Sequence, residues 1–276
     1  MQQKRWWTAF VLGLFLIVPV SGQAQDKKTY TLAVVPQARS VEVIEKWTPF
    51  ARKLSQEVGI NIDITPYNSM PQFEADLHKG VPDLVYMNPY EAVTLKTYIP
   101  LIRDRSPLIG ILVARKGGPF TSVKDVNGKE IAFPAPNAFA ASLYMRALLI
   151  EREKIKFTPQ YVKTHSNVYR TVAYDKAAAG GGVKTTLAKE PEEIMNHLTV
   201  IYETPPTPSH PLSAHPRVPE TVRNKIVTAV LGFGSNPANK DMLTNIQIPE
   251  PVEANYQRDY SSLKNLKLEK YIGKDE

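Results

Sequence analysis

Segments with the residue pattern of strands alternate along the chain with segments that have the apolar spacing of helices. Short runs rich in β-branched and aromatic residues are typical of strands, and longer segments with apolar residues three and four positions apart are typical of helices. Strands that alternate with helices in this way predict an α/β protein whose sheets are covered on both faces. The pattern predicts strands at Thr29–Val35, Ile60–Thr65, Asp83–Met87, Ile131–Phe133, Gln160–Thr164 and Leu198–Tyr202, and helices at Val41–Val58, Met70–Lys79, Glu91–Lys96, Ala138–Ile150, Val168–Ala178 and Thr221–Phe233.

Two extended runs lie between two αβ halves and predict a two-lobed molecule. They fall near Leu112–Gly118 and near Tyr202–Pro208, and the six prolines of Pro205–Pro219 indicate a connector across the surface. We expect residues 25–112 and 205–276 to form a first lobe and residues 113–204 a second. Two crossings of this kind allow the lobes to close around a ligand by a hinge motion.

One strand-to-helix turn is a candidate anion site. Pro134 and Pro136 end the strand Ile131–Phe133, because proline supplies no donor to a β-ladder, and strong helix formers follow in Ala138–Ile150. Asn137 occupies the expected N-cap position. A helix that begins at a strand end directs free backbone N–H groups and its positive dipole end beyond the strand, which suits an anion. An ordinary strand–helix connection would have the same pattern.

Side chains that follow the other predicted strands are further candidates, because ligands in open α/β sheets bind beyond the carboxyl ends of the strands. Gln37 follows the first strand, Tyr67 the second, and Asn88 and Tyr90 the third. These residues have the polar or aromatic character that a ligand contact needs. Loop residues are polar in any case, and that alternative stays open for each of them.

Charge and residue usage narrow the class of protein. The 276 residues suffice for two medium domains, and the net charge of +7 is spread along the chain, which favours small acidic partners over nucleic acid. Five scattered histidines show no metal-binding spacing, and the chain lacks cysteine and a nucleophile motif. We therefore expect no metal, no cofactor and no enzymatic activity.

The first residues have the pattern of a cleaved export signal. Lys4 and Arg5 precede the uncharged run Thr8–Val20, and Gly22 and Ala24 form a small-residue cleavage site. We expect cleavage after Ala24 and a freely soluble protein in the periplasm, since the apolar run is too short to span a bilayer and no cysteine is present to carry a lipid.

Five sequence pieces in a fixed order resemble one known family. The chain resembles the periplasmic phosphate/phosphite/phosphonate-binding proteins of ABC transporters, which have the type II periplasmic binding protein fold. The resemblance implies two lobes, each a mostly parallel sheet flanked by helices, joined by two hinge strands. The pieces are Gly80–Tyr90, Leu108–Arg115, Val126–Pro136, His165–Arg170 and Ala177–Gly182.

The resemblance also implies site residues. His165 matches a ligand-contacting histidine of the family, although a structural role at a helix start remains the alternative. Tyr67 and Tyr90 match the region of aromatic contacts, and His210 beside the second crossing is a further candidate. The family's run of Ser/Thr hydroxyls is replaced here by Ala138, Phe139, Ala140 and Ala141, which leaves backbone N–H groups, the helix dipole and Asn137 to bind an anion. Either another donor compensates for the missing hydroxyls, or the ligand is not a phosphonate.

The function implied by the resemblance is capture of a small phosphonate- or phosphate-like anion for an ABC permease by a monomeric receptor. A receptor of the same fold that signals to a membrane histidine kinase or cyclase, with a different ligand, is the alternative. The genes beside this one would separate the two functions, because an importer needs a permease and an ATPase.

Overall fold

The computed structural model describes residues 27–273, and the expected export signal with its cleavage site after Ala24 lies outside them. The first lobe is built on a six-stranded sheet. Its strands and helices are β1 (Thr29–Val34), α1 (Ser40–Val58), β2 (Asn61–Thr65), α2 (Met70–His78), β3 (Leu84–Tyr86), α3 (Pro89–Leu95), β4 (Ile99–Asp104), and later β10 (Pro211–Ala214), α8 (Glu220–Gly234), α9 (Lys240–Asn245) and β11 (Pro251–Glu253).

The second lobe is built on a five-stranded sheet formed by the middle of the chain. A π-helical turn at Phe139–Leu143 continues directly into helix α4, so the two form one helix. The strands and helices are β5 (Gly110–Arg115), β6 (Lys129–Phe133), α4 (Tyr144–Glu151), β7 (Phe157–Tyr161), α5 (His165–Ala173), β8 (Ala179–Val183), α6 (Lys184–Leu187), α7 (Glu192–Met195) and β9 (Leu198–Glu203).

Both sheets are mixed, where mostly parallel sheets were expected. The first has the order β11-β4-β10-β3-β1-β2 and the second β7-β6-β8-β5-β9. β1 pairs in parallel with β2 and β3, but β10 is antiparallel to β3 and β4, and β11 is antiparallel to β4. In the second sheet β6 has parallel neighbours, while β5 is antiparallel to β8 and β9. The antiparallel pairs come from the segments that carry the chain between the lobes.

The predicted connector Pro205–Pro219 is wrong in its middle, since β10 is a fully buried strand in the first sheet. Proline is tolerated there because Pro211 is the first residue of the strand, where its missing N–H removes least from the ladder. Strand β4 was not predicted because it contains Pro100. Strand β8 was not predicted because it consists largely of glycine and is poor in the β-branched residues that the pattern requires.

Both crossings between the lobes are short. The chain passes from β4 to β5 through residues 105–109 and returns from β9 to β10 through residues 204–210. The two crossings touch at an antiparallel bridge between Leu108 and Thr207. The crossing expected at Leu112–Gly118 is therefore wrong, because Leu112 lies inside β5, and the boundary expected between residues 112 and 113 falls within the same strand.

The lobes are in contact through the start of the α4 helix. Phe139 of the second lobe is buried in the same apolar cluster as the first-lobe core and stacks on Tyr90, with ring centroids 5.9 Å apart. Two further clusters fill the two faces of the second sheet. The two lobes therefore form a continuous core beside the cleft.

Within residues 27–273, no helix is long and apolar enough to cross a bilayer. The same residues contain no group of three or more His, Cys, Asp or Glu side chains placed to hold a metal ion.

Candidate functional site

Seven candidate residues from both lobes line one small cavity between the sheets, which we call the inner cavity. Its volume is about 30 Å³. Apart from His210, these residues follow the carboxyl ends of β1, β3 and β6 or lie at the start of α5. Ligand sites in α/β folds are expected at such strand ends. The seven residues are Gln37, Asn88, Ala138, Phe139, Ala140, His165 and His210.

The helix start beside the cavity supplies unpaired backbone donors. Ala138 is the N-cap, and Ser142 and Leu143 donate to its carbonyl. Within the described part of the chain, no acceptor lies at the amides of Phe139, Ala140 and Ala141. The wider π-helical turn leaves these N–H groups at the positive end of a helix that continues to Glu151.

Asn137 does not cap this helix, and the prediction of its capping role is wrong. Its side-chain amide instead donates to Glu74 at 3.1 Å, and its carbonyl oxygen accepts from the backbone N–H of Gly273 at 3.0 Å. Asn137 therefore links the second lobe to the first lobe and to the C-terminal segment, and its side chain lies away from the inner cavity.

Glycines of β5 and β8 allow this helix start to approach the sheet. A Cβ on Gly181 would lie 2.0 Å from the carbonyl oxygen of Ala141, and a Cβ on Gly110 would lie 2.3 Å from that of Ala140. Real side chains cannot occupy such positions. The glycine-rich strand β8 is therefore a place of close backbone approach beside the helix start that carries the free amides.

His210 is part of a hydrogen-bonded row that fixes its orientation. Gln247 Nε2 donates to Gln37 Oε1 at 2.7 Å, so the Nε2 of Gln37 faces His210 Nε2 at 3.0 Å as a donor. A neutral His210 then accepts at Nε2 and carries its proton at Nδ1. Burial, and after it the nearby His165, lowers the pKa of His210 to about 3, and the ring is neutral at neutral pH.

His165 is the first residue of α5, and Thr164 caps that helix through its hydroxyl. Burial lowers the pKa of His165 to about 4. Its Nδ1 lies 3.4 Å from Thr186 Oγ1, and among the described residues its Nε2 has no hydrogen-bond partner. A neutral imidazole with a free ring nitrogen can donate to a ligand, and a nearby anion would raise its pKa.

Two further donors lie on the cavity wall. Asn88 caps α3 through its side-chain oxygen, which accepts from Tyr90 and Glu91, and no acceptor within residues 27–273 occupies its Nδ2. Lys163 also lines the cavity. Sequence reasoning missed it, because the strand was predicted through Thr164, whereas β7 ends at Tyr161. A correct strand end would have placed Lys163 among the candidates.

Two aromatic candidates lie elsewhere. Tyr67 is buried in the first lobe, where its hydroxyl donates to Asp76 at 3.1 Å, and burial together with Asp76 raises the pKa of its phenol to about 12. Tyr90 donates to Glu269 at 3.0 Å, which ties α3 to the C-terminal segment.

Tyr90 and Asn137 line a second pocket of about 80 Å³ on the other side of Asn88. This pocket also contains Glu91, whose pKa is raised well above its usual range by burial and then by Glu74. The surroundings of the Glu91 carboxyl therefore favour its protonated form. The second pocket has carboxyl groups where the inner cavity has N–H groups.

The chemical character of the inner cavity follows from its walls. Backbone amides, two neutral imidazoles, two carboxamides and a lysine face or border it, and no Asp or Glu from the described residues lines it. Its volume corresponds to about two water molecules, so it accommodates the headgroup of a ligand rather than a large molecule. A small oxyanion is the group that these donors would stabilise.

The comparisons with known proteins agree with this architecture. The sequence profile of the family described as ABC transporter, phosphonate, periplasmic substrate-binding protein matches residues 32–260. No curated protein matches the sequence.

Solved structures with the same fold share little sequence with this chain. A binding protein component of an ABC phosphonate transporter from Pseudomonas aeruginosa is 16% identical, with a TM-score of 0.78, over 88% of this chain and 86% of that one. A Prochlorococcus marinus protein in complex with methylphosphonate is 13% identical, with a TM-score of 0.75, over 87% and 97%. A Xanthomonas citri protein bound to ATP is 15% identical, with a TM-score of 0.72, over 90% and 100%.

At these identities the structures show the fold, and the two-lobed α/β fold that was expected is confirmed. The family assignment rests on the sequence profile, because the matched residues 32–260 make up most of the chain. The protein therefore belongs to the phosphonate-binding family of periplasmic substrate-binding proteins and is the solute-binding component of an ABC transporter.

Proposed function

We propose that this receptor captures a phosphonate or phosphate group in the inner cavity and delivers the solute to its ABC permease. The observation that carries the proposal is the donor set of the cavity, which combines N–H groups from both lobes with no carboxylate. The methylphosphonate complex of the Prochlorococcus marinus protein supports the same ligand class.

The seat is built from backbone amides because the side chains of Ala138, Phe139, Ala140 and Ala141 carry no hydroxyl. The amides of Phe139, Ala140 and Ala141 would bind the phosphoryl oxygens, aided by the helix dipole. His165 and His210 would add ring N–H donors, and Lys163 would add a charge at the rim. Because the donors come from both lobes, the anion binds the closed arrangement more tightly and shifts the population towards it.

Calorimetry on the mature protein with methylphosphonate and with inorganic phosphate tests the proposal. Ala138→Asp adds a negative charge at the N-cap beside the free amides, and it should abolish binding through like-charge repulsion in a cleft of low water content. Ala238→Asp adds the same charge at an exposed position remote from the cavity and should bind as the parent does. Equal affinity of the Ala138→Asp variant and the parent would show that the anion does not sit at this turn.

The mature receptor is proposed to start at Gln25 and to act as a monomer. The positive residues, apolar run and small-residue site before Gln25 support cleavage after Ala24. Intact-mass measurement of protein from the periplasm of the producing cell tests the cleavage, and a mass that includes Met1 or Gln2 contradicts it.

A further inference from the structure

The cleft does not end at the inner cavity. Val35, Gln37 and His165 border both the inner cavity and a much larger space towards solvent, which we call the outer chamber. Its volume is about 530 Å³. One wall comes from the end of β1 and the start of α1 in the first lobe, and the other from α5 and the segment between α6 and α7 in the second. A solute whose headgroup occupies the inner cavity would extend its substituent into this chamber.

Positive side chains outnumber negative ones on these walls. Four cationic residues and two carboxylates line the chamber, which leaves a net charge of +2 (4 − 2). Glu42 is already paired with two of the cations, and Glu190 lies 3.9 Å from a third. The lining charged residues are Arg39, Glu42, Lys46, Arg170, Lys189 and Glu190.

Lys189 is the cation that lacks a carboxylate partner. Its ammonium donates across the cleft to the carbonyl oxygen of Thr244 at 2.9 Å, and no carboxylate of the described residues lies within 4 Å of it. Lys46, on α1 of the first lobe, lines the same chamber. Partial burial between the lobes, and then the charge of Lys46, lowers the pKa of the Lys189 ammonium.

Two ammonium groups from different lobes therefore line the same chamber. Their repulsion disfavours closure, and an anion between them would convert that repulsion into two attractions. Methyl or other uncharged substituents would leave the repulsion in place. The charges of the chamber thus discriminate between solutes by the charge of the substituent attached to the headgroup.

We propose that the outer chamber binds a second negatively charged group of the solute, a carboxylate or a phosphoryl, between Lys46 and Lys189. The preferred solute is then a phosphonate or phosphate ester with an anionic substituent. This inference rests on the proposed seat for the first oxyanion in the inner cavity and adds the class of substituent.

Three probes of equal length and different terminal charge test the inference. Propylphosphonate, 3-phosphonopropionate and 3-aminopropylphosphonate share a three-carbon backbone and end in a methyl, a carboxylate and an ammonium group. We expect 3-phosphonopropionate to bind about tenfold more tightly than propylphosphonate, with a gain that shrinks as salt is raised. We expect 3-aminopropylphosphonate to bind most weakly of the three.

Variants connect the gain to the two lysines. Lys46→Met and Lys189→Met should each remove most of the preference for 3-phosphonopropionate while propylphosphonate still binds. Lys225→Met removes the same charge from α8, in a groove that does not adjoin the cleft, and should preserve the preference. Phosphonoacetate and phosphonoformate then report the length at which the carboxylate reaches the chamber.

The possible results separate this inference from the proposed function. If propylphosphonate and methylphosphonate bind but 3-phosphonopropionate gains nothing, or the aminated probe binds best, the inference is wrong and the phosphonate seat stands. A preference that survives in both lysine variants also overturns it. If no phosphonate binds at all, the proposed function fails and the inference fails with it.

Discussion

His165 is the side chain on which the proposed anion seat depends most. Its ring is buried at the start of α5, and its Nε2 has no acceptor within residues 27–273. We predict that His165→Ala weakens binding of methylphosphonate about tenfold or more, because a hydrogen bond to a charged group contributes about 1.5–3 kcal/mol. Calorimetry measures the change.

The controls for His165 come from the same site. His165→Asn retains a donor and should recover part of the affinity. Ser142→Ala should change the affinity little, because the Ser142 hydroxyl is buried and accepts from Arg146 at 3.2 Å, away from the inner cavity. Equal losses in all three variants would assign His165 a purely structural role.

The two buried histidines also predict how stability depends on pH. In the unfolded chain both titrate near 6.5, whereas in the fold the pKa of His165 is about 4 and that of His210 about 3. Between about pH 6.5 and 4 the unfolded state binds protons that the folded state does not. Each histidine therefore lowers the free energy of unfolding by up to about 1.4 kcal/mol per pH unit as the pH falls.

Denaturant unfolding at about pH 7 and about pH 5 measures this effect, and variants isolate it. Glu91 has the opposite effect on the free energy of unfolding in this pH range. Its pKa is raised in the folded protein, so its contribution to stability is lost as the pH rises. His210→Gln should flatten the loss of stability on acidification relative to the parent. His197→Gln, at an exposed position, should leave it unchanged. A parallel response of the parent and His210→Gln would contradict the prediction.

At the scale of elements, the proposed seat depends on the contact between β8 and the α4 helix start. We predict that Gly181→Ala lowers the affinity for methylphosphonate at least tenfold and lowers stability by about 1–3 kcal/mol. Its new methyl group would meet the Ala141 carbonyl at 2.0 Å and the Phe133 ring at 2.6 Å, so the helix start must move. Calorimetry and thermal unfolding report the two effects.

A second glycine supplies the matched comparison. Gly232 lies inside α8, and no atom of the described residues lies within 4 Å of where its Cβ would be. Gly232→Ala should raise stability by about 0.5–1 kcal/mol through helix propensity and leave binding unchanged. Normal affinity in a folded Gly181→Ala protein would mean that the free amides do not need this close contact.

At the scale of the whole molecule, the lobes are joined by the two crossings and by a third connection. The C-terminal segment reaches from the first lobe to the second, where Lys270 and the Tyr271 hydroxyl contact Glu151. Arg146 donates to the Tyr271 carbonyl at 2.6 Å. These contacts lie on the side of the second pocket and hold the lobes together there.

We predict that ligand closes the lobes about residues 105–109 and 204–210, and that deletion of residues 270–276 favours the open form. Small-angle scattering should show a smaller radius of gyration with saturating methylphosphonate than without it. The shortened protein should have a larger radius without ligand and bind more weakly, since closure then costs more free energy. An unchanged radius in both experiments would indicate a rigid receptor.

The sequence by itself determined the fold class, the two-lobed arrangement and seven of the residues that line the inner cavity. Apolar periodicity located β1, α1, β2, α2 and β3, and the strand-end rule found Gln37 and Asn88. The turn after β6 and the family resemblance found Ala138, Phe139, Ala140 and the two histidines. These features depend on local patterns, which is why the sequence carries them.

Only the tertiary structure decided which candidates meet. Tyr67 and Tyr90 follow their strands as Gln37 does, but Asp76 and Glu269 hold their hydroxyls elsewhere. Pro100 and Pro211 are tolerated in strands only because their neighbours in the sheet can do without an N–H donor. The glycines of β8 are required because neighbouring residues leave no space for a side chain. Lys46 and Lys189 are 143 positions apart (189 − 46), and only the packing of one lobe on the other brings them to the walls of one chamber.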